Sequence, residues 1–276
     1  MFDVNNFIID RVLRGVAFKT NTWDMIWSVN QLTDVTLSCS SEETTATDAL
    51  GTTIMTFERA KTAQLTATNA LFDLSLLAHT FGTEKEIASA TNKITTPKFE
   101  VVSIVEGQTE YTLSQTPKED IEHIYALNGD DTVGTAYNAG TAASDTEFVY
   151  SAGKITVPTS AKAGQEFIVM YEYDAEQAVS VTNSATKFPT AFKFVLEVLG
   201  ADVCDPSTLI YAYIIFPAAK LSSTVDITLA TDGGVPITIN CYQEYCDREK
   251  KLFQIIVVDE SEDASVTPTP APTPNP

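Results

Sequence analysis

The sequence predicts a mainly β protein with one flanking helix and a small inserted β module. Three observations carry this: apolar and polar residues alternate at period two along most of the chain, only one stretch has helical spacing, and negative charge is concentrated in the middle. The 276 residues suffice for one large β domain or two smaller ones, with ample core. At 44% hydrophobic and 20% charged, the composition is that of a folded globular chain. No apolar run approaches the roughly 18–20 residues that a membrane span needs.

Met1 to Gly15 interleaves Asp3, Asp10, Arg11 and Arg14 with its apolar residues, unlike a secretory signal. Trp23, Met25, Trp27 and Val29 share one strand face. Val35, Leu37 and Cys39 do the same, and so do Ala63, Leu65 and Ala67. Between the latter two lies Ser40 to Leu50, rich in Ser, Thr and Glu, with no apolar anchor before Ala49 and Leu50; it reads as a polar loop. Ala70 to Phe81 has helical spacing. Asn69 suits the N-cap, Asp73 the first turn and Gly82 the C-terminus, and Leu71, Leu74, Leu77, Ala78 and Phe81 form the apolar stripe, with Ser75 and His79 away from it. Such a helix packs across a sheet or an open barrel mouth.

Residues 98–185 have their own alternation, in Ile121, His123, Tyr125 and Leu127 and in Phe167, Val169, Tyr171 and Tyr173. Turn signals at Asn128–Asp131, Tyr137–Gly140 and Ala152–Lys154 separate such runs, and Pro97 and Pro189 lie near the edges. This segment reads as a β module inserted into a domain made of 1–97 and 186–258. In the latter part, Leu209–Phe216 and Leu252–Val258 are apolar throughout and read as two-sided central strands. Val225, Ile227 and Leu229 form a strand joined to Val235–Cys241 through the hairpin signal Thr231-Asp232-Gly233-Gly234. The acidic and Pro-Thr-rich residues 259–276 read as a disordered, polyproline-like tail.

The formal net charge of −20 divides unevenly: −4 over 1–97, −10 over 98–185, −2 over 186–258 and −4 over 259–276. Binding to nucleic-acid phosphates needs clustered Lys and Arg, which this chain lacks. Catalytic signatures are also missing: there is no G-x-S-x-G elbow, P-loop or G-x-G-x-x-G. The two histidines, His79 and His123, have no nearby Cys or His partner and read as structural or solvated. Cys39, Cys204, Cys241 and Cys246 show no zinc spacing and read as reduced, mostly buried thiols. Glu119, Asp120 and Glu122, and Asp130 with Asp131, match no calcium loop and read as solvated turns. Trp23 and Trp27 suit core burial or a subunit seam better than a sugar-binding face. No enzyme activity, cofactor or metal is expected.

Asp10-Arg11-Val12-Leu13-Arg14-Gly15, then Val35 to Ser40, a polar loop, Gly51 to Thr62, and a strand running into Asn69-Ala70-Leu71-Phe72-Asp73-Leu74 form a distinctive order. Together with Tyr211–Phe216, Pro217–Leu221, Gly233-Gly234 and Leu252–Val258, it resembles the tail tube (major tail) proteins of long-tailed bacteriophages. The resemblance covers 1–97 and 186–258; the module and the tail depart from a minimal tube subunit. It implies a β-sandwich or open barrel with one flanking helix, six copies joining sheets into a ring, and rings stacking into a tube. It further implies a structural virion protein, assembled in the host cytoplasm. Its partners would be itself, other phage tail proteins and genomic DNA passing through the lumen unbound, with no membrane involved. The Ser40–Leu50 loop would order on docking against the next ring, or remain a mobile hairpin loop. Candidate interface residues are Glu42, Glu43, Asp48 and Gly51 in that loop, with Arg59 and Lys61 at the hairpin turn as basic counterparts on a neighbouring ring. The alternatives are a capsid decoration protein, a host- or carbohydrate-binding β protein, and a hydrolase with dispersed carboxylates.

Overall fold

A computed structural model of the protein describes residues 6–203, 205–231, 233–245 and 248–258, the side chains of 205–208 excepted. The expected tail at 259–276, Cys204, Asp232 and Cys246 lie outside the described residues. The chain is mainly β, with one α-helix among the described residues. It divides into two compact units: 1–85 with 181–276, and 86–180.

The first unit begins with β1 (Phe7–Phe18), β2 (Met25–Val29), β3 (Leu32–Thr47), β4 (Thr53–Asn69) and α1 (Leu74–Thr80). The second contains β5 (Glu86–Ile87), β6 (Ile94–Ser103), β7 (Glu110–Thr112), β8 (His123–Leu127), β9 (Val133–Ala139), β10 (Glu147–Ser151), β11 (Lys154–Thr156), β12 (Glu166–Ala175) and β13 (Val179–Ser180). The chain then returns to the first unit through β14 (Phe192–Asp202), β15 (Asp205–Leu221), β16 (Val235–Tyr242) and β17 (Gln254–Val258).

In the first unit one sheet runs β2-β1-β14-β15-β16-β4-β3, with β17 also paired to β15. Its two end strands, β2 and β3, are consecutive in the chain and joined only by Asn30 and Gln31. Such a link spans at most roughly 10 Å, so the sheet must curl until its ends approach. The inside of the curl holds Ala17, Trp27, Val29, Leu65, Phe192, Phe194, Leu196, Phe216 and Ile239, all nearly fully buried. Trp27 meets Phe192 edge-on at 5.6 Å and tilts against Phe194 at 5.5 Å, and the ring contacts continue through Phe216 to Phe253. Truncating any one of these buried Phe rings to Ala carries a cost of about 3–5 kcal/mol.

Leu76 and Leu77 press α1 onto that core. The helix is shorter than its apolar spacing suggests. Asn69 ends β4, where it pairs with Val235, so it cannot cap; Asp73 caps instead, its carboxylate accepting from Ser75 N at 2.7 Å and Leu76 N at 2.9 Å. Leu71 therefore falls outside the helix and is 55% exposed. At the other end Thr83 N donates to Ala78 O and Gly82 N to His79 O, a Schellman closure with Gly82 at φ +68.

Three other expectations are corrected. Val225–Leu229 forms no strand: β16 pairs instead with β4 and with the end of β15, leaving that alternating run no partner. The Leu252–Val258 strand starts at Gln254, pairs with β15 alone, and is half-exposed, not central. Trp23 and Met25 precede or open β2 at the curl's margin and are 69% and 62% exposed, while Trp27 and Val29 are core.

The second unit is one seven-stranded sheet, β6-β12-β8-β9-β10-β11-β7, with a core of Ile124, Phe148, Ile155, Phe167 and Val169. Its chain ends meet in a separate two-stranded ladder, with Ser180 opposite Glu86 and Val179 opposite Ile87. This ladder is why the unit spans 86–180 and not the expected 98–185. Replacing 87–179 by a short Gly-Ser turn from Glu86 to Ser180 is expected to leave the first unit with a β circular-dichroism spectrum and one cooperative melt. Loss of cooperative melting would refute that independence. Gly82→Ala places a Cβ 2.2 Å from the Phe188 carbonyl oxygen at positive φ. It is expected to cost more than the ~1–2 kcal/mol of the left-handed backbone alone, read as a lowered urea midpoint.

Candidate assembly surfaces

Among the described residues no group of three or more His, Cys, Asp and Glu is placed to hold a metal. Cys39 is exposed and Cys241 buried, and burial pushes the Cys241 thiol up to about 11. Each is opposite Ala63 on its own side of β4, so a whole strand separates them. His123 bonds Asn138 through Nδ1 at 3.0 Å on an exposed strand face. Glu100 is the most engaged carboxylate of the second unit, accepting from Ser114 N, Ser114 Oγ and Tyr171 OH. Burial pushes its carboxyl up, but those hydrogen bonds outweigh it and hold the group below the usual range. It staples the 113–118 segment to the sheet.

His79 lies in the core, 9% exposed, edge-on to Phe192 at 5.2 Å. Burial lowers its pKa against a hydrogen bond to the Thr190 backbone, and its Nε2 has no partner. The imidazole is thus neutral in the folded protein.

The unusual surfaces belong to the first unit. Residues 40–50, expected as a loop, are the outer half of a long hairpin arm. The β3–β4 ladder continues from Ser40 opposite Thr62 out to Thr47 opposite Thr53. Every residue from Cys39 to Thr62 is exposed. Asp48 fastens the tip: its Oδ1 accepts from Leu50 N at 2.9 Å and Thr52 N at 2.8 Å, and Gly51 turns the chain at φ +85. Where the arm leaves the body, Ala60 and Lys61 of β4 oppose the single residue Ser41, a β-bulge with Ala60 at φ +46.

The expected site residues therefore take definite places. Asp48 and Gly51 build the tip turn. Arg59 and Lys61 are not at a turn but in mid-strand, Lys61 within the bulge and Arg59 just beyond it, because the strand runs on past them to the body. Glu42 sits directly opposite Arg59 in the same hairpin, and Glu43 opposite Glu58. Arg59 is thus already a neighbour of Glu42 within one chain. Sequence reading took Leu50 as an apolar anchor and gave Ile54, Met55 and Phe57 no role; the four are 91%, 70%, 55% and 48% exposed along this arm. The signal was present: apolar residues between Thr52 and Glu58 with nothing opposite but Thr and Ala.

The outer face of β3, β4 and β16 carries Thr36, Ser38 and Ser40, then Thr62, Gln64 and Thr66, then Thr238 and Asn240. Gln64 Nε2 donates to Asn240 Oδ1 at 2.9 Å, and Ser40 and Thr62 share a 2.7 Å hydroxyl bond. In a chain where 20% of residues are charged, this band has none. On the other half of the sheet Glu197 pairs with Arg14, and Lys193 lies 3.8 Å over the Trp23 ring. Finally, β2 and β3 end the main strand order and β17 is paired on one side by β15, so each offers an open edge to pairing.

A family model for the YomU/Tube protein family matches residues 7–250. The chain belongs to this family. The matched range takes in both segments of the first unit and all of the second, so the YomU/Tube pattern is not confined to 1–97 and 186–258. No curated protein matches the chain. The family name supports a tube-type structural protein of phage origin.

His79 supplies a pH test of the fold that presents these surfaces. The unfolded histidine takes up a proton near its ordinary value of 6.5, whereas the folded one resists it. Stability is therefore expected to fall as pH drops below about 6.5 and to be regained above it. The urea midpoint should decline between pH 7 and pH 5 in the wild type and stay flatter in His79→Leu; parallel curves would contradict the assignment.

Proposed function

We propose that the protein is a phage tail tube subunit that assembles into stacked hexameric rings around a channel for DNA, with no enzymatic role. The observation that carries this is the long, fully exposed hairpin arm with apolar residues on a body that has open sheet edges. A monomer gains nothing from holding Ile54, Met55 and Phe57 in water, whereas a second copy covers them. Edge-to-edge pairing of β2 on one copy with β3 on the next extends the sheet around a ring without new secondary structure.

The uncharged band on β3, β4 and β16 supports the channel reading. A lining of hydroxyls and amides offers the phosphates neither fixed cations to hold them nor carboxylates to repel them. The net charge of −20 then belongs mainly elsewhere, 86–180 holding 15 acidic and 5 basic residues. The virion tail is the corresponding location, with other tail proteins as end partners.

A second reading concerns the 86–180 unit. Its outer sheet face carries Phe99, Val101 and Met170, 66%, 50% and 38% exposed, beside Tyr125. That face favours a host- or carbohydrate-binding role for this unit. Negative-stain microscopy of the purified chain is expected to show rings of one diameter that stack into tubes as concentration rises. A protein that stays monomeric by light scattering at every concentration and shows no rings overturns the tube reading; glycan binding by that monomer would favour the second.

A further inference from the structure

The outward face of the second unit's sheet is apolar where four of its strands meet. On β12 the buried Val169 points into the core, so Ile168 and Met170 on either side of it point outward. Met170 lies opposite Phe99, Ile168 lies between Val101 and Tyr125, and one row further along Leu127 lies opposite Val133. Phe99, Val101 and Val133 are each at least half exposed. At strand spacings this patch spans about 14 Å each way. That seats a segment of chain, and falls far short of the roughly 800 Å² per side of a standard interface between folded partners.

Tyr125 and Met170 of the patch also line a cleft of about 290 Å³. Four carboxylates line it with them, Glu119, Asp120 and Glu122 ahead of β8 and Glu172 on β12, and no Lys or Arg does. Lys118, next in sequence, is engaged elsewhere, by Asp174 at 3.5 Å and Thr95 at 2.7 Å. Among the described residues Glu122 has only the exposed His123, at 4.0 Å, and the other three carboxylates form no ion pair. Nor do they converge on a point, since among the described residues no such group is placed to hold one metal ion. The cation that suits them is an extended organic one, whose donors reach several oxygens at once.

We propose that this face docks a segment of another protein, its apolar side chains on Phe99, Val101 and Met170 and one Lys or Arg in the acidic cleft. Polyanions are repelled, because the 86–180 unit holds 15 acidic and 5 basic residues. The same balance sets the face against its counterpart on a second copy, where carboxylates would meet carboxylates. A neutral glycan could stack on the rings but would leave the four carboxylates without counter-charge. Aromatic and Met side chains at the centre with charge at the rim are the composition of a protein-recognition surface, and arginine is a common anchor on the opposite side. This rests on the reading of 86–180 as a host-binding unit and names the chemistry of its partner.

The test uses the full chain with isotope-labelled methionine methyls. Met170 reports from the patch, while Met25 and Met55, in the first unit, serve as controls. The probe is a short capped peptide with Leu and Phe flanking one Arg, set against the same peptide with citrulline in place of Arg. The Arg peptide is expected to move the Met170 signal alone and to bind about fivefold more tightly than the citrulline peptide, the upper range for an exposed ion pair. Glu122→Gln with Glu172→Gln should abolish that preference, and Phe99→Ser with Val101→Ser should weaken both peptides, each variant keeping the wild-type circular-dichroism spectrum. Equal affinity for the two peptides, or no movement of Met170 with either, overturns the inference. If the neutral oligosaccharide chitotetraose moves Met170 and the peptides do not, the inference falls and the host-binding reading stands; if none of the probes does, both fall. A Met170 shift that grows with protein concentration alone identifies a second copy as the occupant and also overturns the inference.

Discussion

The link Asn30–Gln31 constrains the first unit more than any other feature. It passes the chain from one end of an eight-stranded sheet to the other in two residues, so the sheet has to bend around on itself. Once bent, it needs large side chains inside, and Trp27, Phe192, Phe194 and Phe216 fill that space with rings 5.5–6.0 Å apart in successive contacts. The opening that remains is covered by a single short helix. His79 follows from that placement: a residue on the sheet side of a lid helix has nowhere to go but into the aromatic cluster, and it enters uncharged.

The same bend explains why the hairpin arm is bare. β3 begins and β4 ends inside the curl, where Leu65 and Ala67 are buried, and both strands extend beyond the point where the core ends. Hydrogen bonds between two strands do not need a core to persist, but their apolar side chains then have no cover. The body fixes the foot of the arm, the ladder keeps it extended, and the tip turn held by Asp48 stops it from fraying.

Alternation of apolar and polar residues identified the strands that lie on the curl, since burial on one face is what generates the pattern. It misled at Val225–Leu229, where the pattern exists without a neighbouring strand to pair with, and at Trp23 and Met25, where it runs past the edge of the core. The arm was legible as polar but not as β, because Ser, Thr and Glu outside a core carry no periodic signal. The helix was found but started too early: Asn69 is as good a cap as Asp73 by chemistry, and only its pairing in β4 decides between them. Composition picked out Glu42, Glu43 and Arg59 as interface candidates, yet their cross-strand pairing depends on a register that bulges reset, and sequence does not announce a bulge built on alanine.

That alanine has a consequence for shape on a larger scale. A bulge adds right-handed twist to the ladder that crosses it, and Ala60 holds this one in a backbone conformation that few residues other than glycine favour. Whatever angle Ala60 imposes is carried along the whole outer ladder, so the direction in which the tip turn projects becomes a property of one residue's φ. The bearing of the entire arm is then written at a residue whose side chain is a single methyl group.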